Sequence, residues 1–174
     1  NDGLLMKPRF VKALVDSEGQ IVEEYEPEIT RRSVSSQTAS DMLSIMESVV
    51  TEGGGGTARV TGYRIGGKTG TANKPEAGGY SDTDVYGSFI GVAPLDDPQI
   101  AILVVVDSPR GVLYGSQTAA PAAKAIMQEV FRYLDIQPRY TEAEEEALKT
   151  GKTEVPDVVG ERMSDAIGIL GGQT

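Results

Sequence analysis

The chain has 174 residues, enough for one ordinary domain and an appendage, and 39% of them are hydrophobic, enough to supply a buried core. Its formal charge of −10, from 26 acidic against 16 basic residues, is wrong for a face that binds a phosphate backbone, so no nucleic-acid partner is expected. Cysteine and histidine are both absent, which excludes thiolate nucleophiles, most zinc sites and every triad with imidazole as its base.

In chain order, RFVKALVDSEGQIVEEYEP contains two β-rich runs, Arg9 to Val15 and Ile21 to Tyr25, around the turn-forming Asp16, Ser17, Glu18 and Gly19, and reads as a hairpin. SSQTASDMLSIMESVVTEGGGG places Ala39, Met42, Leu43, Met46, Val49 and Val50 at helical spacing, with polar capping candidates before them and Gly53 as the stop. Gly53 to Gly56 read as a flexible surface connection, with close backbone approach as the alternative.

Three strands are predicted next: Thr61 to Ala72, Val85 to Val92 and Ile100 to Asp107. The link PLDDP, Pro94 to Pro98, suits a tight hairpin and is too short for a crossover helix, which favours an antiparallel meander over a parallel nucleotide-binding sheet. IAILVVVD is apolar throughout, so it is predicted as a central strand covered on both faces, with helices flanking the sheet.

The stripe Ala123, Ile126, Met127, Val130 and Leu134 then predicts a helix with Pro121 near its start and Pro138 beyond its end. Residues 139–154 are acidic and lack an apolar stripe, as expected of a solvated linker, although Thr141 and Glu144 could form a capping box for a short helix. Residues 155–174 open a further small module. No run approaches the ~18 apolar residues of a membrane span. Asn1 is not an initiator Met and no signal-like segment follows it, so the natural chain is expected to extend upstream.

GYRIGGKTGTA supports two incompatible chemistries. Gly62, Gly67, Lys68 and Thr69 satisfy GxxxxGK[ST], the phosphate-binding loop, while Lys68, Thr69 and Gly70 spell KTG. A phosphate loop needs a helix starting near Lys68, and Gly70, Pro75, Gly78 and Gly79 oppose one. A third, structural reading makes Lys68 an edge-strand lysine, with Gly66, Gly67 and Gly70 marking a bulge or twist.

GYRIGGKTGTA followed by GSFIGVAP, IAILVVVD and a helix opening near AAP resembles the carboxy-terminal part of the transpeptidase domain of class B penicillin-binding proteins. The resemblance covers residues 1–138 and implies an α+β fold, a partial serine β-lactamase-like transpeptidase domain whose antiparallel sheet is flanked by helices. VPDVVGERMSDAIGIL in residues 155–174 resembles the start of a PASTA module.

By that resemblance Lys68, Thr69 and Gly70 would bind the terminal carboxylate of D-alanyl-D-alanine stem peptides, and of the β-lactams that mimic them. The backbone amide of Thr71 would be an oxyanion donor. No cofactor or metal is implied. No serine heads an SxxK sequence, since Ser40 gives SDML, Ser44 SIME, Ser88 SFIG and Ser108 SPRG, and no SxN occurs. Nucleophile and base are therefore expected on an upstream part of the same polypeptide, together with any membrane anchor of an extracytoplasmic enzyme. The isolated chain is expected to be inactive. A non-catalytic module that binds cell-wall peptides is the alternative, and Asp107, Ser108, Arg110, Tyr114 and Gly115 could form either a substrate rim or a solvated turn.

Overall fold

The computed structural model describes residues 1–150, so the PASTA-like reading of residues 155–174 and the end of the acidic segment lie outside the described residues. Two units are distinguished, Asn1–Gln137 and Pro138–Thr174.

The first unit begins with two small antiparallel pairs. β1 (Leu4–Met6) pairs with β4 (Ile29–Arg32), and nested between them β2 (Ala13–Val15) pairs with β3 (Ile21–Glu24). The inner pair is the predicted hairpin; its turn is closed by Asp16, whose carboxylate accepts from the amides of Glu18 and Gln20. The outer pair was not legible, because Leu4–Met6 has too few residues to show alternation.

Helix α1 (Ser36–Thr51) starts at Ser35, whose hydroxyl accepts from the Thr38 amide at 3.0 Å. It ends against the glycine run, and here the expected flexible connection is replaced by a tight wrap. Gly55 is buried and donates its amide to Val49 O at 3.0 Å, and a Cβ added to Gly53 would stand 2.9 Å from the same oxygen. The glycines permit close approach here, and one turn of 3₁₀ helix, Gly56–Ala58, follows directly.

The meander is formed by β5 (Gly66–Glu76), β6 (Gly79–Ala93) and β7 (Ile100–Asp107), all antiparallel in the order β5-β6-β7. The first two are displaced from the predicted limits: Thr61 to Ile65 form a turn and its exit, while β5 and β6 continue to a tight hairpin at Ala77 and Gly78, the latter with φ +99°. Pro75 is tolerated because β5 is an edge strand and its register with β6 shifts between Asn73 and Pro75.

β7 is not the central strand expected from its composition. Among the described residues it is the other edge, and its burial alternates: Ile100, Ile102, Val104 and Val106 pack on the core, whereas Leu103 is 66% and Val105 53% exposed. Apolarity alone does not distinguish a strand covered on both faces from one covered on one.

Helix α2 (Ala119–Tyr133) backs the sheet. Its buried stripe is Ala119, Ala120, Ala123, Met127 and Phe131, rotated from the predicted one; Ile126 and Leu134 are each 47% exposed. Three alanines let α2 approach closely, and Phe89, Phe131, Met127 and Val50 are the largest fully buried side chains. Tyr63 stacks on Phe131 with ring centroids 4.1 Å apart and donates its hydroxyl to Ile136 O at 2.9 Å.

In the second unit, α3 (Glu142–Thr150) forms within the segment expected to be linker. Thr141 and Glu144 make the reciprocal capping box: the Glu144 amide donates to Thr141 Oγ1 at 3.2 Å, and the Thr141 amide donates to Glu144 Oε2 at 3.0 Å.

Candidate functional site

Lys68, Thr69, Gly70 and Thr71 lie consecutively in β5, between Gly66 and Glu76. No helix begins at Lys68, so the amide cradle of a phosphate loop is not formed. β5 pairs on one side only, with β6, and among the described residues its outer edge is free. Such an edge offers backbone donors and acceptors to an extended peptide.

Strand alternation separates the side chains. Lys68 and Gly70 share a face with their partners Ile90 and Ser88, while Thr69 and Thr71 share the opposite face with Phe89 and Gly87. Lys68 and Thr69 thus flank the edge from two sides instead of standing together. Lys68 is exposed, and its Nζ donates to the neighbouring Thr69 O at 2.8 Å. Thr71 Oγ1 accepts from the Gly115 amide at 3.2 Å.

Glycine is required around this stretch by space. A Cβ on Gly67 would lie 2.3 Å from the Phe89 ring, and one on Gly70 would lie 2.6 Å from Ser88 Oγ. Gly67 therefore lets β5 settle onto the core aromatic, and Gly70 leaves the surface beside Lys68 low.

Two braces fix the strand farther on. Lys74 Nζ donates to Asp107 Oδ1 at 2.5 Å and to Ser108 Oγ at 3.0 Å, and stands 4.9 Å from the centroid of Tyr86, so one side chain spans all three strands. The hydrogen bond from Lys74, then that from Ser108, holds the Asp107 carboxyl below its usual value; the bond to Asp107 raises the Lys74 ammonium in return. From the opposite face comes the loop between β7 and α2. Either a substrate rim or a solvated turn was expected here, and Gly115 is buried. An open cleft of about 440 Å³ separates the rest of this loop from β5, lined by Thr71, Asn73, Asp82, Leu113, Tyr114 and Gln117.

Lys74 is the position sequence reasoning missed; Gly115 was named there, as part of either a substrate rim or a solvated turn, without its contact to β5. No reading was attached to Lys74 in the sequence, and only the register of three strands brings it to Asp107. Among the described residues, no group of three acidic side chains gathers to hold a metal ion.

A family model described as the penicillin-binding protein transpeptidase domain matches residues 1–128. The chain belongs to this family. Its relatives include stage V sporulation protein D of Bacillus subtilis, 38% identical over 174 residues, covering 98% of this chain and 27% of that protein. Penicillin-binding protein PbpB of Mycolicibacterium smegmatis is 39% identical over 132 residues, covering 70% of this chain and 20% of its own length. Among solved structures, penicillin-binding protein 3 of Mycobacterium tuberculosis in complex with ampicillin aligns with a TM-score of 0.70 at 33% identity, over 82% of this chain and 34% of that one.

The mixed fold with its antiparallel sheet is therefore that of penicillin-binding transpeptidase domains. The chain spans about a quarter of the length of the sporulation relative, or 27%.

Proposed function

We propose that this chain supplies one wall of a peptidoglycan D,D-transpeptidase site, with D-alanyl-D-alanine stem peptides as substrates and β-lactams as their mimics. The observation that carries the proposal is the position of KTG: an exposed lysine and the glycine-flanked Thr69 on a free edge strand whose opposite side is anchored to the core. Lys68 and Thr69 bind the substrate's terminal carboxylate from the two sides of the edge, the lysine by a charge-assisted hydrogen bond. Gly70 admits the peptide closely, and the amide of Thr71 stabilises the oxyanion of the tetrahedral intermediate.

The residues present set the division of labour. Acyl transfer needs a nucleophile and a base, and the sequence has neither SxxK nor histidine. Both groups come from an upstream part of the same polypeptide, which also carries the anchor of an extracytoplasmic, membrane-bound enzyme; residues 139–154 then link the domain to a PASTA-like module at 155–174. Cross-linking proceeds by attack of that upstream serine on the penultimate D-alanine carbonyl, loss of the terminal D-alanine, and transfer of the acyl group to an acceptor amine.

The test is covalent labelling by a fluorescent penicillin. The full-length protein is expected to label and the 174-residue chain is not. Lys68→Ala in the full-length protein is expected to slow acylation ~10- to 100-fold, the value of a hydrogen bond to a charged group. Wild-type acylation by that variant sinks the assignment of β5 as the substrate wall. An upstream sequence without SxxK and SxN would favour the non-catalytic peptide-binding module.

A further inference from the structure

We propose that Gly115 is a positioning residue for this acyl-transfer site, fixing the peptide unit between Gly70 and Thr71; the inference rests on the reading of β5 as the substrate wall. Gly115 meets the carbonyl end of that peptide unit and the side chain of the residue at its other end. Its amide donates to Thr71 Oγ1 at 3.2 Å. Its α-carbon face is so close to β5 and β6 that an added Cβ would stand 2.3 Å from Gly70 O, 2.4 Å from Ser88 O and 2.8 Å from Ser88 N. All three are backbone atoms, which cannot rotate aside as a side-chain end can.

The peptide plane converts this contact into orientation. Gly70 C=O and Thr71 N–H belong to one trans, planar unit and point in opposite directions. Gly70 O lies beside the backbone of its β6 partner Ser88, so the Thr71 amide points away from β6, toward the free edge. Holding the carbonyl in place therefore holds the proposed oxyanion donor in place. Accepting from Gly115 also occupies one lone pair of the Thr71 hydroxyl and leaves its proton to be donated elsewhere.

Gly115 is itself held by the core. Its carbonyl accepts from the amides of Ala119 at 3.0 Å and Ala120 at 2.9 Å, in the first turn of α2, and both alanines are fully buried. Next to it, a Cβ on Gly87 would lie 2.6 Å from Thr118 Oγ1, so the same segment sits on β6 as well. A rigid path runs from α2 through Gly115 to the Gly70–Thr71 peptide, and no conformational demand for positive φ is involved; glycine is needed for room.

The experiment uses the full-length protein and separates the non-covalent affinity for labelled penicillin from the first-order acylation rate. Gly115→Ala is expected to slow acylation ~10- to 100-fold, as sub-ångström to ångström misplacement of a donor does, while affinity changes by less than about threefold. Tyr63→Phe serves as the stability control: it removes the bond to Ile136 O and lowers the melting midpoint, with the acylation rate within about twofold of wild type. Acylation by Gly115→Ala within about twofold of wild type overturns the inference.

If Gly115→Ala does not fold, amide exchange decides. Thr71→Val is expected to exchange the Gly115 amide about tenfold faster and to acylate slowly, whereas Thr71→Ser retains both protection and rate. Unchanged protection of Gly115 in Thr71→Val overturns the inference. Lys68→Ala distinguishes the two levels: if it acylates normally the substrate-wall reading fails, and if it is slow while Gly115→Ala is fast only the role of Gly115 fails.

Discussion

β5 and β7 flank the same central strand and share its register, yet β5 is glycine-rich and braced from both faces, while β7 is apolar with one face exposed among the described residues. Along β5, Gly67 sinks onto Phe89, Lys74 reaches across to Asp107, and Gly115 presses on Gly70. Along β7, Ile100, Ile102, Val104 and Val106 hold the core while Leu103 and Val105 contact little. The difference shows that a strand's role is read from what its backbone is allowed to approach, more than from its hydrophobicity. The edge proposed to present its backbone to a peptide is kept low by glycine and stiffened from behind.

The largest expected effect tests what the two strands have in common. Phe89 is fully buried between Gly67 and Gly91 on β6, under both edges. Phe89→Ala is expected to cost ~3–5 kcal/mol by chemical denaturation, the usual value for truncating a core aromatic. A cost below about 1 kcal/mol would mean that the sheet does not rest on this ring.

Gly67→Ala comes next and addresses β5 alone. The new methyl would meet the Phe89 ring at 2.3 Å and Ile90 O at 2.9 Å, and the second of these is backbone. Overpacking of this kind costs ~1–3 kcal/mol, so a lowered denaturation midpoint with an unchanged slope is expected. An unchanged midpoint would show that β5 has slack over the Phe89 ring.

Much of this was legible in sequence. The hairpin at residues 9–25, helix α1, the meander and α2 follow from periodicity and turn residues, because local rules set them. The KTG stretch was placed on a predicted strand by the same rules, while its edge position was only one of the readings of that stretch. What failed depends on tertiary context. The buried stripe of α2 turns on Phe131, whose place is set by Tyr63, distant in sequence. Gly55 looked like a linker glycine until Val49 O came against it, and Gly115 looked like a turn glycine for the same reason. A glycine's neighbours are not written beside it in the chain.

A smaller effect lies at the entrance to β5. Arg64 donates to both carboxylate oxygens of Glu47, through Nε at 2.7 Å and through Nη2, and so ties α1 to the segment leading into Gly66. The bond from Arg64 holds the Glu47 carboxyl below its usual 4.5, against a smaller opposing effect of burial. A depressed folded-state value means that the unfolded chain binds the proton more readily. The stabilisation is therefore present above the unfolded value and is lost as pH falls through the folded one. Because the Arg64 side chain is 54% exposed, solvent screening limits the pair to about 1 kcal/mol or less. Glu47→Gln is expected to lose that amount at neutral pH and to flatten the decline below about pH 4.5; an acid limb identical to wild type would rule the pair out as its source.

The smallest effect belongs to β7 and separates its two faces. Leu103→Thr and Val105→Thr place a β-branched, strand-compatible residue where the side chain now meets solvent, at 66% and 53% exposure. If that face is bare in the purified chain, little apolar burial is lost, and each change should alter stability by no more than about 0.5 kcal/mol. The same replacement at Val104, on the opposite face, buries a hydroxyl against the core and should cost more, ~1–3 kcal/mol. Equal costs on the two faces would mean that something covers Leu103 and Val105 in solution, and β7 would then be covered on both faces as its composition first implied.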